Sequence, residues 1–213
     1  MENRPLYGKR IFIAFIIATI LFAAGFLIGY AVSYSKYQSI SNSQENIRYN
    51  LLSLDLEKEL LSSSCTLFDP FSFAEELDNN GRLLDILEQR FGKFDSRVLD
   101  QKKDYSMLGI QHLLLVNQYN KQCKGNITTL LFFYSNDKDY ASEAERIGTV
   151  LSTIKQQDNN IMVYSFDFSL DSQLLRMFKA RYNVTKPNII IVNENKTIEN
   201  LNGITELENA LKR

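Results

Sequence analysis

The sequence is poor in the residues that build redox, metal and catalytic sites. Among its 213 residues are two cysteines, Cys65 and Cys123, and one histidine, His112. The cysteines are too far apart for a CxxC redox motif, and two thiols with one imidazole do not complete an ordinary four-ligand zinc site. We therefore expect no metal, no cofactor and no catalytic residue, and we assign His112 no role.

The chain also has no excess of either charge and little proline. Its 24 Lys and Arg residues balance 25 Asp and Glu residues, for a formal net charge of -1. A nucleic-acid partner needs a basic face to neutralise phosphates, so this class of function is excluded. Three prolines and 45% apolar residues exclude a disordered chain and allow one core with at most a smaller second unit.

The strongest feature that is present is an apolar run from Ile11 to Val32, without a charge or a proline. At 1.5 Å per residue, a helix of this length crosses a hydrocarbon layer of about 30 Å. The alternative is a cleaved signal peptide, whose apolar part is normally about 7 to 15 residues long. The greater length and the interfacial tyrosines Tyr30, Tyr34 and Tyr37 favour an uncleaved anchor.

Flanking cations predict the orientation of this anchor. Arg4, Lys9 and Arg10 precede the span, whereas only Lys36 follows it within a dozen residues. Because cytoplasmic flanks carry the excess of Lys and Arg, the N-terminus is expected in the cytoplasm and the bulk of the chain outside it. The expected domains are a cytoplasmic N-terminus (1–10), the span (11–32), an extracytoplasmic helical region (33–124) and a C-terminal domain (125–213).

Gly25 and Gly29 form a GxxxG motif within the span. Such a pair lets two membrane helices approach closely, which would make a homodimer. Glycine is common in membrane helices, so a pair that simply faces lipid is the alternative reading.

The region after the span is predicted to be helical. Ile47, Leu51, Leu54 and Leu61 give Ser43 to Ser64 an amphipathic helical period, and Asp100 to Gln122 is helical again. Between them, Asp69 and Pro70 are expected to cap and begin a helix, with Gly81 and Gly92 as breaks. A Cys65–Cys123 disulfide, the default in an oxidising compartment, would join the ends of the first and last helices. Free buried thiols and a redox-active pair are the alternatives.

The C-terminal domain follows a different pattern. Buried strands are predicted at Thr128 to Ser135, Ile161 to Ser169 and Asn188 to Asn193, with a fourth strand at 197–203 after a turn at Glu194 to Lys196. Helical segments separate the first three strands and a last helix closes the chain, in the order βαβαββα. This order predicts an α/β fold with a mixed sheet.

This domain resembles the thioredoxin fold, in which a proline, usually after a cis peptide bond, precedes the third core strand. Lys186-Pro187, Asn188 to Val192, Gly203 and Thr205 to Leu211 match that half of the fold. With its helical region and two cysteines, the chain is also similar to small single-pass thioredoxin-like proteins of archaea and bacteria. The resemblance covers residues 126 to 213.

In that family a CxxC motif opens the first helix, followed by Glu and then Gly. With Gly148 placed on that glycine, Ala141 and Ala144 occupy the cysteine positions and Glu145 keeps the acidic one. Thiol-disulfide exchange needs a thiolate nucleophile, which alanine does not supply. The nearby Ser142 has no histidine in the domain to activate it.

The resemblance leaves the peptide-holding surface of the fold, where Tyr140, Thr185, Lys186 and Pro187 would lie together. We expect a membrane-anchored, extracytoplasmic, redox-inactive protein that binds or scaffolds another protein or peptide. In the alternative reading these residues only maintain the fold. The rival function is a divergent thiol-disulfide oxidoreductase that uses Cys65 and Cys123, placed beside Pro187 by the fold.

Three N-x-T sequons begin at Asn126, Asn183 and Asn195. Their number is close to chance for a chain this rich in Asn, Ser and Thr. The sequons therefore do not indicate whether the protein is glycosylated.

Overall fold

The structure is a computed structural model that describes residues 4–211, with side chains described for 8–30, 32 and 47–211. The chain divides into two compact units, Met1–Tyr49 and Asn50–Arg213. Helix α1 (Arg4–Ser63) belongs to both. In the first unit, Gly8–Tyr30 is long and apolar enough to cross a membrane, with exposed side chains, as in an anchor or a signal sequence.

The second unit begins with three helices: the end of α1, α2 (Ala74–Phe91) and α3 (Ser96–Gln122). The side chain of Asp95 caps α3 by accepting a hydrogen bond from the Arg97 N–H, and Gly92 ends α2 at a φ of 89°, which favours glycine. The predicted C-terminal end of α3 at Gln122 is confirmed, with Cys123 as its C-cap.

Two predictions between these helices are wrong. Asp69 does not cap a helix that begins at Pro70, because its Oδ1 accepts a hydrogen bond from the Phe71 N–H at 2.9 Å in a local turn, and α2 starts only at Ala74. Gly81 does not break a helix, because it lies inside α2 between the buried Leu77 and Leu84. The packing of an amphipathic helix outweighs the low helix propensity of one glycine.

The predicted Cys65–Cys123 disulfide is present, with a Cα–Cα distance of 5.6 Å. Cys65 lies two residues beyond Ser63, the last residue of α1, and Cys123 directly follows α3. The bridge therefore joins the ends of these two helices, as the sequence predicts.

The rest of the second unit is a mixed four-stranded sheet in the order β2-β1-β3-β4. Its strands are β1 (Thr128–Tyr134), β2 (Ile161–Asp167), β3 (Ile189–Val192) and β4 (Lys196–Glu199), interleaved with α4 (Lys138–Gln157), α5 (Gln173–Arg181) and α6 (Ile204–Leu211). Strand β1 pairs parallel with β2 and antiparallel with β3, which pairs antiparallel with β4. The predicted element order and mixed sheet are confirmed.

The β3–β4 turn differs from its predicted position. Asn193 and Glu194 both have positive φ, 48° and 60°, and the Asn195 N–H donates to the Val192 carbonyl at 3.0 Å. Positive φ at two successive residues is common in tight hairpin turns, and the three-residue loop closes where Val192 pairs with Lys196. Strand β4 then ends at Glu199 instead of 203, because Asn200 also adopts a positive φ of 54°.

Helices pack on both faces of the sheet. On one face, Leu130, Phe132 and Ile190 meet Ile147 and Leu151 of α4 and Leu207 of α6 in a buried apolar cluster. On the other, rings of Phe133, Phe166 and Phe178 lie 5.5 to 5.8 Å apart between neighbours, and α3 packs against β2. The alternation of side chains along each strand thus supplies two apolar faces.

Candidate functional site

A groove of about 910 Å³ lies between α2 and α4. Ala141 and Ala144, the two positions at which the resemblance expects cysteines, line its α4 wall together with Glu145. Tyr134 and Ser165 contribute from the sheet, and Tyr105 from α3. The two alanines that the resemblance places at the cysteine positions therefore lie in the wall of this groove.

The groove is acidic. Asp85, Glu88 and Glu145 line it, against one lysine, Lys93. Burial raises the pKa of Asp85, the charge of Glu88 raises it further, and Lys93 opposes both effects. Within the part of the chain that the structure describes, Asp85 and Glu145 form no salt bridge, so their charges remain available to a ligand.

Two tyrosines supply aromatic surface in this groove. Burial raises the pKa values of Tyr105 and Tyr134, so both phenols stay neutral at physiological pH. The Nζ atom of Lys102 lies 5.9 Å from the centroid of the Tyr134 ring, within the range of a cation–π contact. Aromatic rings and carboxylates both attract cations. A groove that contains both therefore favours a basic ligand over an acidic one.

A buried ion network links the groove wall to the sheet. Lys102 of α3, whose side chain is 2% exposed, contacts Glu88 Oε1 at 2.8 Å and Asp167 Oδ2 at 2.7 Å. Asp167 also accepts hydrogen bonds from the Ser169 N–H at 3.0 Å and from Asn136 Nδ2 at 3.4 Å. The network joins α2, α3 and the end of β2, and so fixes one wall of the groove against the sheet.

The segment before β3 reaches the first turn of α4. Asn188, at a φ of 62°, donates its backbone N–H to the Phe133 carbonyl at 2.6 Å, and its Nδ2 donates to the Tyr140 carbonyl at 3.0 Å. Its Oδ1 is buried and has no hydrogen-bond partner. The structure thus joins Tyr140 to Asn188, the residue after Pro187.

The other residues of that surface are exposed. Thr185 and Lys186 are both solvent-accessible, and Lys186 Nζ lies 2.6 Å from Glu199 of β4. The Lys186–Pro187 peptide bond is trans, unlike the usual cis bond of the family that the sequence resembles.

The disulfide lies at the other end of β1. Cys123 precedes the first residue of β1, whereas the segment of Pro187 is bound to Phe133 near its last residue. At about 3.3 Å per residue, the seven-residue strand separates these ends by about 20 Å. Cys65 is exposed and Cys123 half-buried, so the bridge is accessible but stands away from the groove.

His112 is a buried residue of α3, 1% exposed. Its Nε2 lies 3.2 Å from the Pro70 carbonyl, and its Nδ1 lies 3.0 Å from the Tyr164 hydroxyl. Burial lowers its pKa to about 4, so the ring is neutral: Nε2–H donates to Pro70 and Nδ1 accepts from Tyr164. Among the side chains that the structure describes (8–30, 32 and 47–211), no three from His, Cys, Asp or Glu are grouped to hold a metal ion.

Sequence reasoning missed most of this site. Lys102, Asp85 and Glu88 read as ordinary solvated charges of amphipathic helices, and their meeting depends on how α2 and α3 pack. The sequence offered a signal for one residue of the site. Tyr134 ends the apolar run of β1, and the loop to α4 follows it.

No family model, curated protein or solved structure matches the chain.

Proposed function

We propose that this protein is a membrane-anchored, extracytoplasmic, redox-inactive thioredoxin-like protein that binds an extended segment of another protein in the groove between α2 and α4. The observation that carries the proposal is the position of Ala141 and Ala144 in the wall of that groove. The groove lies where members of the family carry their reactive cysteine pair, and no cysteine or methionine lines it.

Four features support the thioredoxin-like assignment. The element order is βαβαββα, β1 and β2 are parallel, β3 and β4 form a hairpin, and Pro187 stands two residues before β3. The trans Lys186–Pro187 bond is a departure from the family's pattern.

The anchor and its orientation rest on the apolar helix Gly8–Tyr30, on the cations before it and on the disulfide, which favours an oxidising compartment. A close helix pair through Gly25 and Gly29 is part of this proposal. A side chain at either glycine would meet nothing within 4 Å, so this face of the helix is open.

The groove suits a segment that carries Lys or Arg. Asp85 and Glu145 attract cations, while Tyr105 and Tyr134 offer ring faces to the methylene stems of Lys or Arg. The adjacent surface around Tyr140 extends the contact area. The disulfide lies at the opposite end of β1 from the segment of Pro187, and this position supports binding over exchange through Cys65 and Cys123.

Binding is tested on the full-length protein in detergent micelles. A fluorescent lysine-containing peptide should bind with an affinity that falls with salt, and an acidic peptide of equal length should not. Asp85→Asn with Glu145→Gln should weaken binding about tenfold, whereas Glu75→Gln, an exposed charge elsewhere on α2, should not. Equal binding of both peptides would contradict the proposal.

Chemistry is tested by restoring the thiols. The wild-type protein should show no disulfide reductase turnover, and Ala141→Cys with Ala144→Cys should introduce it. The matched control is Gln173→Cys with Arg176→Cys, which places the same spacing in the first turn of α5. Measurable turnover by the wild-type protein would refute the redox-inactive assignment.

A further inference from the structure

A second pocket, of about 410 Å³, lies at the end of the sheet where β1 begins. The last turns of α3 supply Asn117, Asn120 and Lys121, β1 supplies Thr129, and the β3–β4 turn supplies Asn193 and Glu194. The pocket shares no lining residue with the groove between α2 and α4. It is rich in side-chain amides and lies outside the function proposed above.

Two polar groups that line this pocket are buried without a partner. Thr129 is 1% exposed, and its Oγ1 forms no hydrogen bond. The Nδ2 atom of the half-buried Asn117 is also buried and forms no hydrogen bond. Burying a hydrogen-bonding group without a partner is unfavourable, so a native structure normally satisfies such groups. The two groups belong to facing elements, β1 and α3.

Two neighbouring asparagines, Asn193 and Asn120, bond to the backbone around these groups. Asn193 accepts from the Thr129 N–H at 2.9 Å and donates its own N–H to the Thr129 carbonyl at 2.8 Å. Asn120 donates to the Ile127 carbonyl at 2.7 Å and accepts from its N–H at 3.1 Å. These bonds hold the pocket wall in place but leave two buried groups, Asn117 Nδ2 and the Thr129 hydroxyl, without a partner.

The charge in the pocket is positive. Lys121 is exposed and, within residues 47–211, forms no salt bridge. Glu194 is the carboxylate in the lining, but it already accepts hydrogen bonds from the Tyr182 hydroxyl and from Arg181, the latter at 3.3 Å. An incoming anion therefore meets hydrogen-bond donors and an uncompensated cation.

We propose that this pocket binds a carboxylate. One oxygen accepts hydrogen bonds from Asn117 Nδ2 and the Thr129 hydroxyl, and Lys121 compensates the negative charge. Charge-assisted hydrogen bonds of this kind are stronger than neutral ones. The carboxylate belongs either to a small acid or to the C-terminus of a peptide.

The test uses the full-length protein in detergent micelles at constant pH and ionic strength. Thermal unfolding is followed while sodium acetate replaces sodium chloride, and then with triglycine and with triglycine amide. A ligand that binds only the folded state raises the melting temperature in a saturable way. Asn117→Leu and Thr129→Val, which keep side-chain volume, should each weaken the apparent affinity at least tenfold.

Lys121→Gln should weaken the affinity as well, whereas Lys124→Gln, an exposed lysine outside the pocket lining, should leave it unchanged. A response to acetate alone would identify a small acid, and a response to triglycine but not to its amide would identify a peptide C-terminus. The proposal is overturned if none of the three probes gives a saturable shift. It is also overturned if Asn117→Leu and Thr129→Val respond like the wild-type protein, which would mean that the pair holds buried water only.

Discussion

The buried network around Lys102 gives the most direct test of how the groove is held together. Lys102→Met removes a cation that is 2% exposed and keeps the apolar stem of the side chain. Two carboxylates then lose their counter-charge: Asp167, with a side chain 6% exposed, and Glu88, with one 13% exposed.

The expected loss follows from this burial. Removing one partner of a buried ion pair costs about 3 to 5 kcal/mol, because it leaves an uncompensated charge in the interior. Asp167 keeps its hydrogen bonds from Ser169 and Asn136, so the lower end, about 3 kcal/mol, is expected. That is a large part of the ~5 to 15 kcal/mol by which a domain is stable.

The matched control is Lys155→Met. Lys155 lies 2.6 Å from Asp78 in a pair whose side chains are 32% and 45% exposed. A solvent-exposed pair contributes at most about 1 kcal/mol, because water and salt screen it. Urea unfolding of the full-length protein, followed by circular dichroism, should therefore show a much lower midpoint for Lys102→Met than for Lys155→Met. Equal effects of the two substitutions would refute the assignment of a structural role to the buried network.

Three further predictions concern His112, the disulfide and Asn188. Burial lowers the pKa of His112 from its ordinary 6.5 to about 4, so the unfolded chain binds a proton at higher pH than the folded one. The free energy of unfolding should therefore fall by about 3 kcal/mol as the pH drops from 6.5 to 4. In urea titrations, His112→Gln should make the free energy of unfolding depend less on pH. The same pH dependence in the variant and the wild-type protein would contradict a buried neutral imidazole. Replacing Cys65 and Cys123 by serine opens a loop with a sequence separation of 58 and should cost about 4 kcal/mol in the same assay, whereas a loss under 1 kcal/mol would mean that the bridge constrains little. Asn188→Ala, at a φ of 62°, removes the bond to Tyr140 and should destabilise the protein by about 1 to 3 kcal/mol; no change in the urea midpoint would show that this contact does not hold the loop.

Local patterns predicted the elements better than their ends. The apolar runs that became β1 and β3 are too short and too rich in β-branched and aromatic residues to be helices, and Lys124-Gly125 marks the change of period before them. The predicted starts of α2 and of the β3–β4 turn were wrong because the residues at those positions suit more than one local structure. Asp69 is a residue type that often caps helices, but here it forms a turn. The β3–β4 turn begins at Asn193, one residue before its predicted start at Glu194.

What the sequence determined by itself is everything that depends on neighbours along the chain. This includes the apolar N-terminal helix, the order of strands and helices and the absence of a thiol at Ala141 and Ala144. The pairing of Cys65 with Cys123, at a sequence separation of 58, was predicted for a different reason, because the sequence holds no other cysteine. Only the tertiary structure decided which distant residues meet. Lys102 and Asp167 are 65 residues apart, and Thr129 and Asn193 are 64 apart. Such contacts form when packing of the apolar faces brings α3 against β2 and the β3–β4 turn beside β1, and no local period encodes them.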